Sequence, residues 1–266
     1  MNEDSHEPLG VERHAFLVAL IARLLRGRRH VAVGANLPIP AAAAVLARER
    51  SGGRTRVEIM GSRRFGAFSN LSDLHDLATQ GRLDGFFLSP GQIDGAANIN
   101  LVGVGGSYPR LDVRWPGSHG APLLYMMIPN IILFRDAHRA RALVPKVDFV
   151  SAPGVSPPHV HRPGGPAALV TGMAHFAFER TTARFRLETI HPGVRLDDVE
   201  TNTGFVFDRA PTVETTPWPD DDAAPAIEAR VCEAIADVYP QFAESLALSA
   251  KALRSRCPGR SEDGRP

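Results

Sequence analysis

Phe86-Phe87-Leu88-Ser89-Pro90-Gly91-Gln92-Ile93-Asp94-Gly95-Ala96-Ala97-Asn98-Ile99-Asn100 is the stretch on which the fold turns. An apolar run stops at Ser-Pro-Gly, and amide and carboxylate side chains follow at once. On composition this is a polar turn, and Asn and Asp in turns most often hydrogen-bond their own backbone. The residues before it give it a place. Residues 83–88 read as a short buried strand, and so do residues 30–34 and 55–60, each stopped by a glycine. Helical patterns lie between them. One covers residues 41–48, introduced by Pro38 and Pro40, where a missing N–H does no harm; the other covers residues 71–80. Strand, helix, strand, helix, strand predicts a parallel sheet covered by helices. Ligands of such sheets bind beyond the carboxyl ends of the strands. Chemistry is therefore expected at the turns of residues 34–36, 60–62 and 90–92.

Upstream, Phe16, Leu17, Leu20, Ile21, Leu24 and Leu25 recur at helical spacing within residues 11–26. Downstream, strands are expected at residues 99–104, 131–134, 147–151, 169–172, 175–178 and 183–190. The helices there are shorter, which suggests antiparallel members in the sheet. A short helix is expected at residues 194–200, and a long helical pattern over residues 223–253 breaks at Pro240. Residues 153–166, rich in Pro and His, read as a surface loop. No internal repeat is visible. The 266 residues suffice for one large α/β domain. It is expected to span residues 9–250, with disordered ends at 1–8 and 251–266 that are too polar to bury enough surface.

Hydrophobic residues make up 44% and charged residues 22%, an ordinary globular balance. A net charge of +1 provides no field for nucleic acid or an anionic membrane. The start is polar and acidic, and the apolar runs are too short to span a bilayer, so a soluble cytoplasmic protein is expected. Cys232 and Cys257 have no ligand spacing, and such sparse thiols fit a reducing compartment. His159-x-His161, with His175, lacks a Cys or carboxylate at ligand spacing and reads as solvated loop. No metal and no bound cofactor are expected. Gly103-x-Gly105-Gly106 lacks both the lysine of a P-loop and the Gly-x-x-Gly ending of a dinucleotide fingerprint.

Five segments resemble, in order, the β subunits of glutaconate CoA-transferase and its relatives. Gln92, Ile93, Asp94, Asn98 and Asn100 match a Gly-Ala-Gln-Ile-Asp-x-x-Gly-Asn-x-Asn motif, with Pro90 and Ala97 departing from it. Residues 114–121 look like a Leu-Pro-Gly-Ser-Gly-Gly-Ala loop with His119 in place of a glycine. His138-Arg139-x-Arg141 with the Val144-Pro145-Lys146-Val147-Asp148-Phe149 run, His191-Pro192-Gly193-Val194 and Asn202-Thr203-Gly204-Phe205 are similar to the remaining motifs. The resemblance covers about residues 15–207. It implies an α/β fold, an open, mostly parallel sheet with flanking helices, of the family I CoA-transferase (NagB/RpiA-like) type. It also implies a homologous α-type partner subunit and an acyl-CoA substrate, so coenzyme A arrives as part of the substrate. The implied site lies between the subunits, lined here by Gly34, Asn36, Ile59, Gly61, Ser62, Gly91, Gln92, Asp94, Asn98, Asn100, Gly117, Ser118 and Gly120.

Transferases of that family use a glutamate nucleophile in Glu-x-Gly at the end of the second strand, and glycine-loop amides stabilise the oxyanion. Here the strand reads Val57-Glu58-Ile59-Met60-Gly61-Ser62, and counting back from Gly61 puts Ile59 at the nucleophile position. Isoleucine attacks nothing. Glu58 stands one residue early, and alternate strand side chains face opposite sides, so without a bulge it should miss the site. Its other reading is a solvent-facing charge. The resemblance then favours hydrolase- or lyase-like chemistry in acid catabolism, carbon–carbon ring opening or decarboxylation included. True CoA transfer and a non-catalytic regulatory partner are the alternatives. The partner would supply most acid–base chemistry. His119 is a further acid–base candidate, or else a loop histidine bonded to backbone. Arg63 and Arg64 read equally as ligands of a carboxylate or CoA phosphate and as surface charges.

Overall fold

The structure, a computed structural model, describes residues 9–66 and 71–256. α1 (Arg13–Leu24), β1 (His30–Val33), α2 (Pro38–Arg50), β2 (Arg56–Ile59), α3 (Leu71–Thr79) and β3 (Gly85–Leu88) follow one another as the sequence predicts, with bounds shifted by a few residues. Two small hairpins come next, β4 (Gln92–Ile93) with β5 (Ile99–Asn100) and β6 (Gly103–Val104) with β7 (Val113–Arg114). Then come α4 (Ala121–Met127), β8 (Ile131–Arg135), β9 (Pro166–Thr171), β10 (Ala174–Glu179), β11 (Arg184–Ile190), α5 (Leu196–Asn202) and β12 (Asp208–Thr215). The chain closes with α6 (Ala223–Ala226), a π-helical turn (Ile227–Val231), α7 (Cys232–Ile235) and α8 (Pro240–Arg256).

Eight strands form one sheet in the order β12-β11-β10-β9-β8-β3-β1-β2. Pairing is parallel from β2 through β9, antiparallel on both sides of β10, and parallel again between β11 and β12. The sheet is thus open and mostly parallel, as expected. Strands whose side chains are all buried belong in the middle of a sheet covered on both faces, and β1 and β3 are such strands. Val31, Val33, Val57 and Ile59 face α1, α2 and the C-terminal helices, while Ala32, Phe86 and Leu88 face α3, α4 and the hairpins. Phe16 and Leu17 of α1 are fully buried, each contributing about 1.5–3 kcal/mol relative to exposure.

Several expectations need correction. Residues 99–104 are not one strand, because the Asn100 Oδ1 accepts the N–H groups of Val102 at 2.9 Å and Gly103 at 3.3 Å and breaks the ladder. Residues 147–151 form no strand. Asp148 N–H donates to the Gln92 side chain at 3.0 Å and Ser151 N–H to Ile99 O at 2.8 Å, which leaves an extended loop tied across the β4–β5 hairpin. β12 and α4 are additions. The helix expected at residues 194–200 begins and ends two residues later, as α5. α8 continues past residue 250 to Arg256, because Leu253 is buried in the core cluster that α8 shares with α1. Residues 1–8 and 257–266, Cys257 among them, lie outside the described residues.

Both edges of the sheet have their own treatment. Beside β2 the chain turns back on itself, and Phe65 O accepts the Ile59 N–H at 2.9 Å. β12 lies at the other edge with every residue exposed except Val213, which is half-buried. Among the described residues no helix is long and apolar enough to cross a membrane.

Candidate active site

Because β1, β2 and β3 run parallel and in register, with Val33 beside Ile59, their carboxyl ends open at one level. Gly34 and Asn36 follow β1, Gly61 follows β2 and Ser89 follows β3. Asn36 (φ 58°) and Gly61 (φ 86°) hold left-handed conformations that let the chain turn sharply. Facing these turns are Leu71 and Leu74 of α3, Leu101, residues 117–119, and Ala121 and Leu124 of α4. Together they enclose a cavity of about 850 Å³, a size usual for a small-molecule site. Of the sequence-predicted residues, Gly34, Asn36, Gly61, Ser62, Gly117, Ser118 and His119 line it.

The wall is largely apolar, with Met60, Phe86 and Leu88 beside the leucines. Its polar side chains are Asn36, Ser62, Ser89, Ser118 and His119. Among the described residues no Asp, Glu, Lys or Arg lines it. His119 is exposed at φ 42°, with no hydrogen bond to any described residue, so the backbone-bonded reading fails.

Glu58 is elsewhere. Only 2% exposed, its carboxylate lies 2.6 Å from Arg56 Nε and 3.3 Å from His30 Nε2. The expectation of a solvent-facing charge is therefore wrong. β2 keeps unbroken register with β1, so no bulge swings Glu58 upward. It opens instead on a separate hollow of about 480 Å³ at the sheet edge. In that hollow four arginines face three glutamates, with Arg230 paired to Glu49 at 3.0 Å and Arg64 to Glu233 at 3.3 Å. Ile59, also predicted in the site, is buried in the core under α2 and does not line the cavity. Arg63 and Arg64 are exposed and lie outside the cavity.

Gln92, Asp94, Asn98 and Asn100 do not line the cavity either; they build a hairpin. Asp94 Oδ1 accepts Ala96 N–H at 3.1 Å and Asn98 N–H at 3.0 Å, and its Oδ2 accepts the Asn98 amide at 3.0 Å. Asn98 Oδ1 accepts Gly154 N–H at 3.2 Å. The Asn100 amide, fully buried, donates to Gln92 Oε1 at 2.8 Å and Gly103 O at 2.7 Å. Ala97 takes φ 56°, a left-handed conformation that favours glycine. Tyr125 Oη locks it by donating to Ala97 O at 2.8 Å.

Gly91 and Gly120 serve packing. A Cβ at Gly91 would meet the Trp115 ring at 2.1 Å, and one at Gly120 would meet His75 at 2.2 Å. Gly91→Ala is expected to lower unfolding free energy by about 1–3 kcal/mol, as read from the urea midpoint at unchanged slope; an unshifted midpoint refutes it. The faint Gly103-x-Gly105-Gly106 resemblance to a phosphate loop has a different use, since Gly105 N–H donates to Asp148 Oδ2 at 3.0 Å.

Sequence reasoning missed Asp237. Its Oδ2 accepts the Ser62 hydroxyl at 2.9 Å and Arg63 N–H at 2.8 Å, while Ser62 Oγ accepts Phe65 N–H at 2.9 Å. Burial pushes the Asp237 carboxyl up, but the bonds from Arg63 N–H, the Ser62 hydroxyl and Arg64 N–H outweigh it and hold it below the usual range. Asp237 thus fixes the turn that carries Gly61 into the cavity. Nothing local in the sequence marks a partner 175 residues away. The apolar wall of Met60, Leu71, Leu74, Leu101 and Leu124 was also missed, since such residues look like ordinary core. Among the described residues no three His, Cys, Asp or Glu side chains group to hold a metal.

A family model described as Coenzyme A transferase matches residues 17–202. The B-type subunit of the 3-oxoadipate CoA-transferase of Pseudomonas knackmussii is 33% identical over 164 residues, 58% of this chain and 62% of that protein. The alignment therefore spans less than two thirds of that relative. Three solved structures share the fold. The decarboxylase AibA/AibB is 22% identical with a TM-score of 0.69, over 89% of this chain and 99% of its own. Glutaconate coenzyme A-transferase from Acidaminococcus fermentans is 21% identical with a TM-score of 0.72, over 85% and 96%. IpdAB from Rhodococcus jostii RHA1 is 22% identical with a TM-score of 0.68, over 82% and 92%.

Proposed function

The chain belongs to the coenzyme A transferase family, and from that premise we propose that it is the β-type subunit of a two-subunit enzyme that acts on an acyl-CoA thioester by hydrolase- or lyase-like chemistry rather than by CoA transfer. One observation carries the reading: no described carboxylate lines the cavity at the strand ends, and Glu58 is held in ion pairs outside it. Transfer by a covalent route needs an enzyme carboxylate that attacks the thioester carbonyl, expels CoA thiolate and then takes CoA back as an enzyme thioester. Without that carboxylate nothing among the described residues stores CoA between two acids.

The apolar wall supports an acyl group with an uncharged end on this side of the site, because a second carboxylate would find no Lys or Arg there among the described residues. His119, with no hydrogen bond to the described residues, is placed to give or take a proton. The remaining acid–base groups come from a homologous α-type subunit. That pairing is supported by the 33% identical relative, itself one lettered subunit of a CoA-transferase, and by the two-part name of the AibA/AibB decarboxylase. AibA/AibB also supports chemistry other than transfer on this fold.

The test is an acyl-CoA panel with the co-expressed α-type partner, with and without acetate or succinate as acceptor, followed by borohydride reduction and mass spectrometry. Free CoA, or ring-opened or decarboxylated product, is expected without acceptor, with no mass change on either chain. Glu58→Gln, which keeps an oxygen acceptor for Arg56, should retain kcat. Turnover that requires an acceptor, with Glu58 reduced, selects true transfer, the reading favoured by the transferase name of the 33% relative.

A further inference from the structure

α1 and α2 end side by side at the amino end of the sheet, opposite the crevice. There Arg23, Arg26, Arg28, Arg29, Arg50 and Arg54 surround a hollow of about 520 Å³ together with Asp220 and Asp222. Six arginines against two aspartates leave four net positive charges, in a chain whose overall formal charge is +1. Basic residues at helix C-termini ordinarily serve the last carbonyls. Here those carbonyls have other partners. Ala47 O, Arg48 O and Glu49 O accept the N–H groups of Ser51, Gly53 and Gly52, and Leu25 O accepts that of Arg28.

Arg50 holds Asp222 at 2.5 Å and Asp220 at 3.7 Å. The Asp84 carboxylate accepts Arg29 N–H at 2.8 Å and the Thr55 hydroxyl donates to Arg28 O at 2.8 Å, but among the described residues no other ion pair or hydrogen bond reaches the six guanidinium groups, and Arg28 Nε is buried without a partner. Burial, then the charges of Arg26 and Arg50 working against Asp220, holds the Arg23 guanidinium below its usual range. Like charges gathered in one hollow destabilise each other, and an anion carrying several charges relieves them together.

We propose that this hollow binds an oligophosphate chain, whether free as tripolyphosphate or carried by a nucleotide. Guanidinium forks match phosphate oxygens two at a time, and the volume falls within the range of small-ligand sites. No aromatic ring lines the hollow, so recognition rests on the phosphates and not on a base. The four-residue strands, about 13 Å long, separate it from the crevice, and it stands whatever reaction the crevice performs.

Calorimetric titration of the full chain at fixed ionic strength tests this with tripolyphosphate, ATP and inorganic phosphate. Tripolyphosphate and ATP should bind with similar affinity, both tighter than phosphate. The exposed pair R26Q/R54Q should weaken both by about tenfold or more. R110Q, an exposed arginine remote from the hollow, should change neither. Absence of saturable binding, or binding unchanged in R26Q/R54Q, overturns the assignment. ATP binding far above tripolyphosphate overturns recognition by phosphate alone. Loss of acyl-CoA binding in R26Q/R54Q makes the hollow part of the substrate site and overturns its independence.

Discussion

Lowering the pH from about 7.5 to about 5 should remove about 4 kcal/mol or more of unfolding free energy, before most carboxylates titrate. The chief cause is two buried histidines, to which half-buried His175, lowered to about 4 by burial, adds. His138, 2% exposed, lies between the hydroxyls of Thr171 and Thr203, each at 2.8 Å. His191, fully buried, donates from Nε2 to Thr171 O at 2.9 Å and meets Thr216 Oγ1 at 3.0 Å. Burial lowers His138 to about 4 and His191 to about 3, with nearby His175, His138 and Arg13 adding to the latter. Folded pKa values below the unfolded value mean that the unfolded chain binds more protons. The stability is therefore fully present above about pH 6.5 and is lost as the pH falls towards the folded values, on the order of 2 kcal/mol per histidine by pH 5. Urea unfolding across this range measures it. His138→Gln, neutral at every pH, should flatten the profile by about a third, and a wild-type profile level down to about pH 5 would sink the idea.

Asn100→Ala should lower stability by about 3 kcal/mol or more. Its side chain serves Gln92 Oε1, Gly103 O and two N–H groups at once. Removing it orphans groups that water cannot reach, and through Gln92 it loosens the Asp148 N–H as well. Asn98→Ala, at a half-buried position, should lower stability by only about 1 kcal/mol. Denaturant midpoints compare the two, and equal losses would mean that burial of the amide is not what matters.

The alternation of helix and strand was legible because each element announces itself locally. Val31, Val33, Phe86 and Leu88 are runs that only burial explains, and each run ends at a turn residue. β12 was not legible, because Asp208, Arg209, Pro211 and Glu214 lack the apolar alternation of a half-buried strand. Residues 147–151 misled in the opposite sense. Val147, Phe149 and Val150 are strand-forming types, but side chains of the neighbouring hairpin take the backbone donors. The same division holds for the site. Its glycine and asparagine turns at residues 34–36 and 60–62 follow from strand ends. The motif residues from Gln92 to Asn100 carried the family signature, yet their side chains support the hairpin. Their role depends on Gly103, Asp148 and Gly154, partners that no local pattern names.

The two flanks of the sheet govern whether one copy of this chain can stack on another. An unpaired strand is a template on which another chain can stack and aggregate. The turn after β2 covers one flank, since Phe65 O already occupies the Ile59 N–H. At the other flank Pro211 removes a donor from the middle of β12, and the pairing to β11 shifts register between Leu187 and Thr189. Arg209 and Glu214 add charge there. Among the described residues neither flank presents the long, flat, uncharged ladder from which fibrils grow.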